Sequence, residues 1–438
     1  MILVRARWRP AAAVPLFIFM GFITEQAGLM ARLFVAFRLL LAPVRGALFL
    51  VVVLTAAVFA MATGIVGAAV TVLGIMAAPI MIKTGYDAKL AAGTITAGGT
   101  LGILIPPSVM LIVMGPVLGV SVADLYAAAF GPGFLLAGIY VAYLLARCFI
   151  NPKLGPPVSQ EERVHGVLRI LGEVAIGIVP LGLLIAFTLG TILAGLATPT
   201  EASAMGAAGA LILALVYRRF TLAGLKQALL STMATSSMVL LLAVTSNVFG
   251  AVFARMGTAN WITDSMLALP LPPVVMLIMV LGLIFLLGWP FEWPAIVLVF
   301  LPIFYPVIAA LKFDLVWFGA LVAVTLQTAF LSPPVAMSAY DLKQVVKDWS
   351  LATIYKGMFE FMVLQVLAIA LVLAFPPIAT WFPQYLQENA TQAPVEQLED
   401  TVKPDAYDDD PYSRQSEQAG EEREMQQQGG AKPAQPMR

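Results

Sequence analysis

Long apolar stretches with few charges dominate the chain, and their lengths predict where it crosses a membrane. A helix needs about 20 apolar residues to span the hydrocarbon core of a bilayer. Stretches near that length lie at 125–146, 170–190, 199–217, 229–253 and 357–377. Three longer apolar runs, at 46–82, 88–120 and 272–311, must contain more than one helical segment. The pattern predicts an all-α polytopic membrane protein in contact with the lipid bilayer.

A proline pattern recurs in the two halves of the chain. Each copy has a proline, an acid and a proline pair at equal spacing, 227 residues apart: Pro79, Asp87 and Pro106-Pro107, then Pro306, Asp314 and Pro333-Pro334. Prolines remove backbone donors and clash with the preceding turn, so each pair predicts a broken helix. Broken helices at matching places in two halves are typical of secondary transporters with internal repeats and a site at the membrane midplane.

Basic residues between the spans predict their orientation, because positively charged loops favour the cytoplasm. The basic loops at 147–169 and 218–226 are separated by two crossings and therefore share the cytoplasmic face. With this assignment, 46–82 begins and ends inside, whereas 272–311 begins and ends outside. We therefore predict inverted repeats with two re-entrant helical hairpins, whose tips lie at Thr63-Gly64 and at 288–294. A simple pair of crossings in either run is the alternative.

Composition and motifs exclude several classes of protein. Apolar residues form 60% of the chain and charged residues 11%, and the net charge of zero argues against nucleic-acid binding. One cysteine, Cys148, and one histidine, His165, exclude an internal disulfide and a Cys/His metal site. No lysine follows a glycine-rich loop as in ATP-hydrolysing P-loops. Tyr340-Asp341 lies at a span end and forms no protease motif. We predict that the chain is not an enzyme.

These patterns divide the chain into six parts. The predicted parts are an N-terminal helix and amphipathic arm (1–45), a first transport repeat (46–150), connecting scaffold helices (151–271), a second transport repeat (272–341), a C-terminal membrane helix (342–386) and a disordered polar tail (387–438). Three arginines, Arg5, Arg7 and Arg9, fit the charge rule poorly, because the first crossing would place them outside.

Four ordered motifs resemble one known family. They are Ala13 to Gly21, Ala62 to Ala68, Gly99 to Ser108 and Ala197 to Ala202. These segments resemble the large membrane subunit (M, DctM-like) of tripartite ATP-independent periplasmic (TRAP) transporters, most closely the mannitol/chloroaromatic-type branch, over about 12–380. Family members usually carry about one further helix before the first motif, which predicts a truncated or misannotated start.

The resemblance implies a function and partners. It implies an elevator-type, sodium-coupled importer of small organic acids in the bacterial inner (cytoplasmic) membrane. The acid would be delivered by a periplasmic substrate-binding protein (P), and a small four-helix membrane subunit (Q) would complete the transporter. The alternatives are a non-tripartite ion-coupled carrier or channel of similar inverted-hairpin plan, or a non-transporting assembly subunit.

The broken helices predict where sodium would bind, because unwound backbone exposes carbonyl oxygens that a continuous helix would hide. The candidates for sodium or substrate binding in the first half are Thr63, Gly64, Gly99, Thr100, Gly102 and Pro106. Those in the second half are Gly288, Glu292, Thr325, Gln327, Thr328 and Ser332. The alternative is structural, since glycines permit close helix packing and prolines merely kink helices.

For most acids and hydroxyls outside the breaks, the main prediction is that they cap the starts of helices. Thr198 and Glu201 form a capping box, although Thr198 and Thr200 also remain candidates for an ion or substrate site at a helix start. Asp87 and Asp314 are predicted to cap helix starts. Glu360 is predicted to face a partner subunit or, alternatively, to be a surface acid near the headgroups.

Overall fold

The computed structural model describes residues 12–156 and 167–392, and all regular structure in these ranges is helical. Seven helices in the described part are long and apolar enough to cross a membrane, or nine if two bent helix pairs each count as one span. The predicted all-α polytopic fold is thus confirmed. Residues 1–11, with Arg5, Arg7 and Arg9, lie outside the described part, as do His165 and 393–438 of the predicted tail.

Residues 12–156 contain seven α-helices. They are α1 Ala13–Gln26, α2 Leu29–Leu41, α3 Ala47–Thr63, α4 Val66–Lys83, α5 Ala88–Leu104, α6 Val109–Leu118 and α7 Val122–Ile150. Helix α2 turns away from α1 by 60° at Gly28. Its apolar residues Leu29 and Leu33 are buried while Arg32 is exposed, and the helix packs on α3. The predicted amphipathic arm is therefore a separate helix whose apolar face contacts protein.

Ten longer helices follow in residues 167–392. They are α8 Val167–Ile185, α9 Pro199–Val216, α10 Leu222–Arg255, α11 Thr258–Leu267, α12 Pro273–Leu287, α13 Trp293–Ala310, α14 Leu315–Gln327, α15 Met337–Val345, α16 Leu351–Ala374 and α17 Pro377–Gln392. Helix α8 continues through a π-helical turn, Ala186–Gly190. Helix α13 contains a second one, Ile296–Phe300. Helix α9 packs along α1.

Both proline pairs interrupt helices as predicted. Helices α5 and α6 meet at a 45° bend around Pro106-Pro107. In the second copy, α14 ends in a single 3-10 turn, Thr328–Phe330, and α15 begins three residues after Pro334. The peptide bond within each proline pair is cis. Each proline pair therefore lies in a break between two helices, four residues long in the first half (105–108) and six in the second (331–336).

The predicted caps of the broken helices are also confirmed. Asp87 Oδ1 accepts a hydrogen bond of 2.8 Å from the Leu90 amide at the start of α5. Asp314 Oδ1 accepts two, of 2.8 and 2.9 Å, from Val316 and Trp317 at the start of α14. A carboxylate at this position satisfies amides that have no partner within the helix. The two acids of the proline pattern thus have the same structural role.

Two helices joined by a short tip accompany each broken helix, and in the first half both of them pack on it. Helices α3 and α4 turn at Gly64, which has a φ of +60°, and both pack on α5. In the second half, α12 and α13 are joined by residues 288–292, and α12 packs on α14. The two copies interlock, because α15 packs on α4 and α6 packs on α13. At the first of these contacts, a Cβ atom added to Gly74 would lie 2.8 Å from Val345 Cγ2.

The opposite orientation of the two halves remains a prediction from charge, and it gives a topology test. Lys83 ends α4 and is exposed, and Lys312 follows α13 and is also exposed. We expect cysteines at these positions, in a Cys148→Ser background, to react with a membrane-impermeant maleimide from opposite sides: Lys83→Cys from the cytoplasm, Lys312→Cys from the periplasm. Labelling of both from one side would contradict the inverted repeats.

Helix α16 packs closely on the first broken helix. A Cβ atom added to Gly93 of α5 would lie 2.7 Å from the Gly357 carbonyl oxygen, and one added to Gly357 would lie 2.8 Å from the Gly93 amide nitrogen. Only glycine at both positions lets the two backbones approach this far. Trp317 Nε1 of α14 donates to the Val372 carbonyl at 3.1 Å. Helix α16 is thereby joined to both broken helices.

The structure corrects the prediction for Glu360. Its carboxylate forms an ion pair with Lys89 of α5 and another with Arg147 of α7, whose Nη1 lies 3.2 Å away. The Tyr143 hydroxyl donates to it as well, at 2.5 Å. The alternative of a surface acid is wrong, because the side chain is only 19% exposed and its carboxylate pairs with two cations of the same chain. Contact with a partner subunit stays a prediction. Glu360 joins α16 to α5 and α7.

Candidate functional site

The first hairpin tip contacts the first helix break. A Cβ atom added to Gly64 would lie 3.6 Å from the Pro107 carbonyl oxygen and 3.6 Å from the Val109 amide nitrogen. One added to Gly102 would lie 3.8 Å from the Ile65 amide nitrogen. At these distances an added Cβ atom would be in ordinary van der Waals contact, so the tip and the break lie side by side. The structure therefore brings Gly64 and Gly102 of the first candidate set together with the proline break.

The other members of the first set surround this contact. Thr63, next to the tip, is 3% exposed, and its hydroxyl donates to the Phe59 carbonyl at 3.3 Å. Gly99 faces α4, the helix after the first tip, because a Cβ atom added to Gly99 would lie 3.1 Å from the Val70 amide nitrogen. Pro106 opens the break itself. These three residues thus lie on the hairpin side of α5.

Thr100 faces a different neighbour. It is fully buried, and its hydroxyl donates to the Ala97 carbonyl at 2.9 Å. Gln365 Nε2 of α16 reaches the same hydroxyl at 3.5 Å. The sequence did not single out Gln365, since an isolated glutamine in an apolar span carries no spacing that shows which face it occupies.

In the second half, the tip and the break also meet. A Cβ atom added to Gly288 would lie 2.9 Å from Ala329 Cβ, just beyond the end of α14. The three hydroxyl candidates donate back to carbonyls of their own segment, at 2.8 Å for Thr325, 2.6 Å for Thr328 and 2.7 Å for Ser332. Met362 Sδ of α16 lies 3.2 Å from the Ser332 hydroxyl. Because each hydroxyl hydrogen is already donated to a carbonyl, only the oxygen lone pairs are available to a ligand.

Gln327 differs from the other candidates of the second set. Its side chain is fully buried, and neither amide atom has a hydrogen-bond partner in the structure. A buried polar atom without a partner costs about 1–3 kcal/mol, so a native protein rarely keeps one without a reason. Gln327 lies 227 residues after Thr100 and so holds the equivalent position in the repeat. The second half therefore has a buried amide where the first half has a threonine hydroxyl.

One cavity, of about 190 Å³, touches both tips and both breaks. We call it the central cavity; its lining includes Gly64, Ile65 and Gly67 of the first tip, Ile103 and Val109 beside the first break, Glu292 and Trp293 of the second tip, and Phe330, Met337 and Asp341 around the second break. Three larger clefts in the described part, of about 270, 500 and 600 Å³, lie between α4 and the end of α15, beside α10 and at the α6–α7 turn. We assign the candidate site to the central cavity because it joins the two repeats.

Two carboxylates face the central cavity, and the described residues that line it include no lysine, arginine or histidine. Glu292 is exposed at the second tip, and Asp341 is partly buried on α15. Gly67 leaves room for the latter, because a Cβ atom added there would lie 3.2 Å from Asp341 Oδ2. Two nearby negative charges favour a cation in this cavity.

The sequence analysis does not predict that Asp341 lines the cavity, because the residue lies at the end of an apolar span. The break moves it inward, since α15 restarts the helix at Met337 and carries Asp341 to the cavity one turn later. An acid shortly after a helix-breaking proline pair in a membrane span was the signal that could have identified it.

Thr198 and Thr200 lie away from the central cavity. The predicted capping box is confirmed: Glu201 Oε2 accepts from the Thr198 amide at 2.8 Å, and Thr198 Oγ1 accepts from the Glu201 amide at 3.3 Å. The flanking residues Ala197 and Pro199 line the cleft at the α6–α7 turn. The structure thus does not bring these two threonines together with the other candidates.

Comparison of the sequence with known proteins identifies its family. The family described as "Tripartite ATP-independent periplasmic transporter, DctM component" matches residues 8–378. The chain is 30% identical over 381 residues to the C4-dicarboxylate TRAP transporter large permease protein DctM of Pseudomonas aeruginosa. This match covers 85% of this chain and 86% of the relative. It is 28% identical over 380 residues to the sialic acid TRAP transporter permease protein SiaT of Haemophilus influenzae. That match covers 86% of this chain but only 60% of the relative's length.

A solved structure shares the fold. The crystal structure of the YdaH transporter of Alcanivorax borkumensis, reported as revealing an unusual topology, is similar with a TM-score of 0.63, covers 86% of each chain and is 16% identical in sequence. At this identity the likeness concerns the fold alone. The family match, in contrast, extends over most of the sequence. The chain therefore belongs to the DctM family of TRAP transporter large permeases and is a multi-pass protein of the inner membrane.

Proposed function

We propose that the chain is the large permease subunit of a sodium-coupled tripartite importer of small organic acids. The observation that carries this proposal is the central cavity, where two glycine-containing tips, two proline breaks and two carboxylates meet. Relatives named for C4-dicarboxylate and sialic acid transport support an organic acid as the solute. We retain the mannitol/chloroaromatic-type branch as a finer prediction.

Sodium is the proposed coupling ion because the site offers oxygen ligands. Hard cations prefer oxygen ligands, and broken helices expose backbone carbonyls at membrane depth. In the first half, Gly64, Gly99, Gly102 and Pro106 would supply backbone oxygens, with Thr100 as a hydroxyl candidate. In the second half, the amide of Gln327 is the leading side-chain candidate, because it is buried without a partner.

The proposed transport step is a movement of the two interlocked repeats against the scaffold, as in elevator-type carriers. The repeats contact one another through α4 with α15 and α6 with α13, so both hairpins and both breaks would move together. The scaffold would include α1, α2, α8 and α9, which pack among themselves. We propose that a small four-helix membrane subunit binds this assembly and that a periplasmic binding protein delivers the solute, with no catalytic chemistry by this chain.

Uptake by the reconstituted transporter tests the proposal. Proteoliposomes should contain this chain and its small membrane subunit, with the binding protein and a labelled organic acid outside. We expect accumulation when sodium is higher outside than inside, and none when potassium or choline replaces sodium. ATP should have no effect. Equal uptake with and without sodium would show that sodium does not drive transport.

The same preparation separates the alternatives. Uptake that does not require the binding protein would favour a non-tripartite carrier or channel. A channel would equilibrate the solute but would not concentrate it against a gradient. If the reconstituted complex transports nothing while binding its partners, the chain is an assembly subunit.

A further inference from the structure

A cleft of about 500 Å³ lies between helices α6, α10 and α13, and we call it the outer cleft. It is lined by Pro116 and Val117 of α6, by residues of α10 between Ser246 and Phe253 and by residues of α13 between Leu298 and Pro306. The orientation predicted from charge places these parts of the three helices on the periplasmic side. None of the residues proposed for the sodium site lines the outer cleft.

The outer cleft and the central cavity are lined by the same three helices. Helices α6 and α13 begin at the central cavity, with Val109 and Trp293 in its lining, and they continue to the outer cleft. On α10, Thr235 lines the central cavity and Ser246 lines the outer cleft. Eleven residues separate these two, which is about three helical turns, so both lie on one face of α10. A solute that moves along this face between the periplasm and the central cavity therefore passes the outer cleft.

Two opposite faces of α10 differ in polarity. Val244, Val248 and Val252 are 63%, 62% and 52% exposed, and Val248 is about 200° around the helix from Ser246. This exposed, apolar face suits contact with lipid. The face toward the outer cleft instead carries Ser246 and Gly250. The cleft is therefore not part of the lipid-facing surface of α10.

Ser246 places an unpaired hydroxyl in the outer cleft. The residue is 6% exposed, and its Oγ has no hydrogen-bond partner. A hydroxyl in a membrane helix can donate to a carbonyl one turn earlier, as Thr245 does to Leu241 at 2.9 Å. Next to Ser246, Asn247 donates one amide hydrogen to the Ala243 carbonyl at 2.7 Å, and its amide group carries a second hydrogen. Two neutral donors thus stand side by side in the lining.

The chemistry of the outer cleft differs from that of the central cavity. Its described lining contains no charged residue, whereas Glu292 and Asp341 face the central cavity. An anion therefore meets neutral donors in the outer cleft and two negative charges farther in. The other walls of the cleft are apolar and include the stacked rings of Phe249 and Phe253, whose centroids are 5.4 Å apart. This lining suits an acid with one carboxylate and an apolar body.

We propose that the outer cleft is a second solute site, where an organic acid with an apolar body binds before it enters the central cavity. This inference rests on the proposed function. Ser246 and Asn247 donate hydrogen bonds to the carboxylate, and Phe249 and Phe253 contact the apolar body. Because no acidic side chain lines the cleft, binding there does not require sodium. Entry into the central cavity does require it, since sodium offsets the charges of the two carboxylates.

The first test is thiol labelling of Gly250→Cys, in a Cys148→Ser background, in right-side-out vesicles that contain the complex. No atom lies within 4 Å of a Cβ added to Gly250, so the thiol has open space around it. The reagent is 2-sulfonatoethyl methanethiosulfonate, which is negatively charged and does not cross membranes. We expect it to label Gly250→Cys but not the matched control Val248→Cys on the opposite face of α10.

Benzoate serves as the probe ligand because it has one carboxylate and an apolar ring. We expect saturating benzoate to slow the labelling of Gly250→Cys at least about tenfold, because a cleft that holds benzoate excludes the reagent. Protection should be equal in sodium and in choline, and benzamide, which lacks the charge, should not protect. Labelling only by the membrane-permeant N-ethylmaleimide would show that the cleft holds lipid and would overturn the inference. Equal protection by benzamide, or protection that requires sodium, would overturn it as well.

The contribution of Ser246 is measured in the same assay. We expect Ser246→Ala, combined with Gly250→Cys, to raise the half-protecting benzoate concentration about two- to tenfold, the effect of losing one hydrogen bond. Thr245→Val is the matched control, because the Thr245 hydroxyl donates to its own helix. An unchanged benzoate concentration in Ser246→Ala, or the same rise in Thr245→Val, would contradict the role of Ser246 as a donor.

Uptake by the reconstituted complex shows whether the solute uses the outer cleft. Gly250→Trp fills the cleft and should strongly reduce the initial rate, whereas Val248→Trp puts the same side chain on the opposite face and should retain it. Equal rates in the two variants would overturn the inference. The labelling results do not depend on transport and so separate the two proposals. If wild-type uptake requires sodium and benzoate does not protect, this inference alone is wrong; if benzoate protects and uptake ignores sodium, the proposed sodium coupling is wrong.

Discussion

Replacement of Gly64 by valine should reduce sodium-driven uptake at least tenfold while leaving much of the protein folded. Gly64 has a φ of +60°, where a β-branched residue is strained by about 1–2 kcal/mol. Its Cα also faces the first break, with Pro107 and Val109 backbone atoms 3.6 Å from an added Cβ. The γ-methyl groups of valine would separate the tip from the break, and the backbone oxygens there would lose their arrangement. Initial uptake rate per folded transporter is the measurement.

Gly85→Val is the matched control for this prediction. Gly85 has a similar φ of +74°, but no atom lies within 4 Å of an added Cβ. The two variants therefore share backbone strain and differ in the contact with the break. We expect similar losses in melting temperature and near-normal uptake in Gly85→Val. Equal uptake in the two variants would show that the contact between tip and break is unimportant for transport.

Replacement of Gly357 by leucine should destabilise the protein strongly, by several kcal/mol. A Cβ atom there would lie 2.8 Å from the Gly93 amide nitrogen, so the backbones of α5 and α16 would have to separate. That separation would also disturb the ion pairs of Glu360 with Lys89 and Arg147. We expect a large loss of folded protein in size-exclusion chromatography and a lower melting temperature.

Gly138→Leu on α7 provides the comparison for Gly357→Leu. No atom lies within 4 Å of a Cβ added to Gly138, so leucine meets open space there. Both changes place leucine in a membrane helix, and only one meets a neighbouring backbone. A melting temperature that falls equally in the two variants would contradict the close contact between α5 and α16.

Local rules explain why the broken helices could be predicted from sequence. A proline pair interrupts a helix whatever surrounds it, and Asp87 and Asp314 cap helix starts through neighbouring amides. The contacts of Gly64 with the first break and of Gly288 with Ala329 follow from the hairpin arrangement that charge and glycine placement suggested. Sequence therefore predicted the broken helices and the contact of each tip with its break.

The residues that sequence missed depend on contacts between distant segments. Asp341 reaches the central cavity because a break redirects the chain, and Gln365 contacts Thr100 because α16 packs on α5. Glu360 is 271 residues from Lys89, and no periodicity in α16 shows that this carboxylate meets cations of α5 and α7. Such pairings follow from tertiary packing, which a pattern along one segment does not contain.

The carboxylates of Glu292 and Asp341 impose an order on the proposed transport cycle. An organic anion approaching two negative side chains is repelled, and no described lysine or arginine lines the cavity to offset that repulsion. With the proposed sodium coupling, sodium would therefore bind before the solute. If the ions carry more charge than the acid, each turnover moves net positive charge inward, so membrane voltage drives uptake together with the sodium gradient.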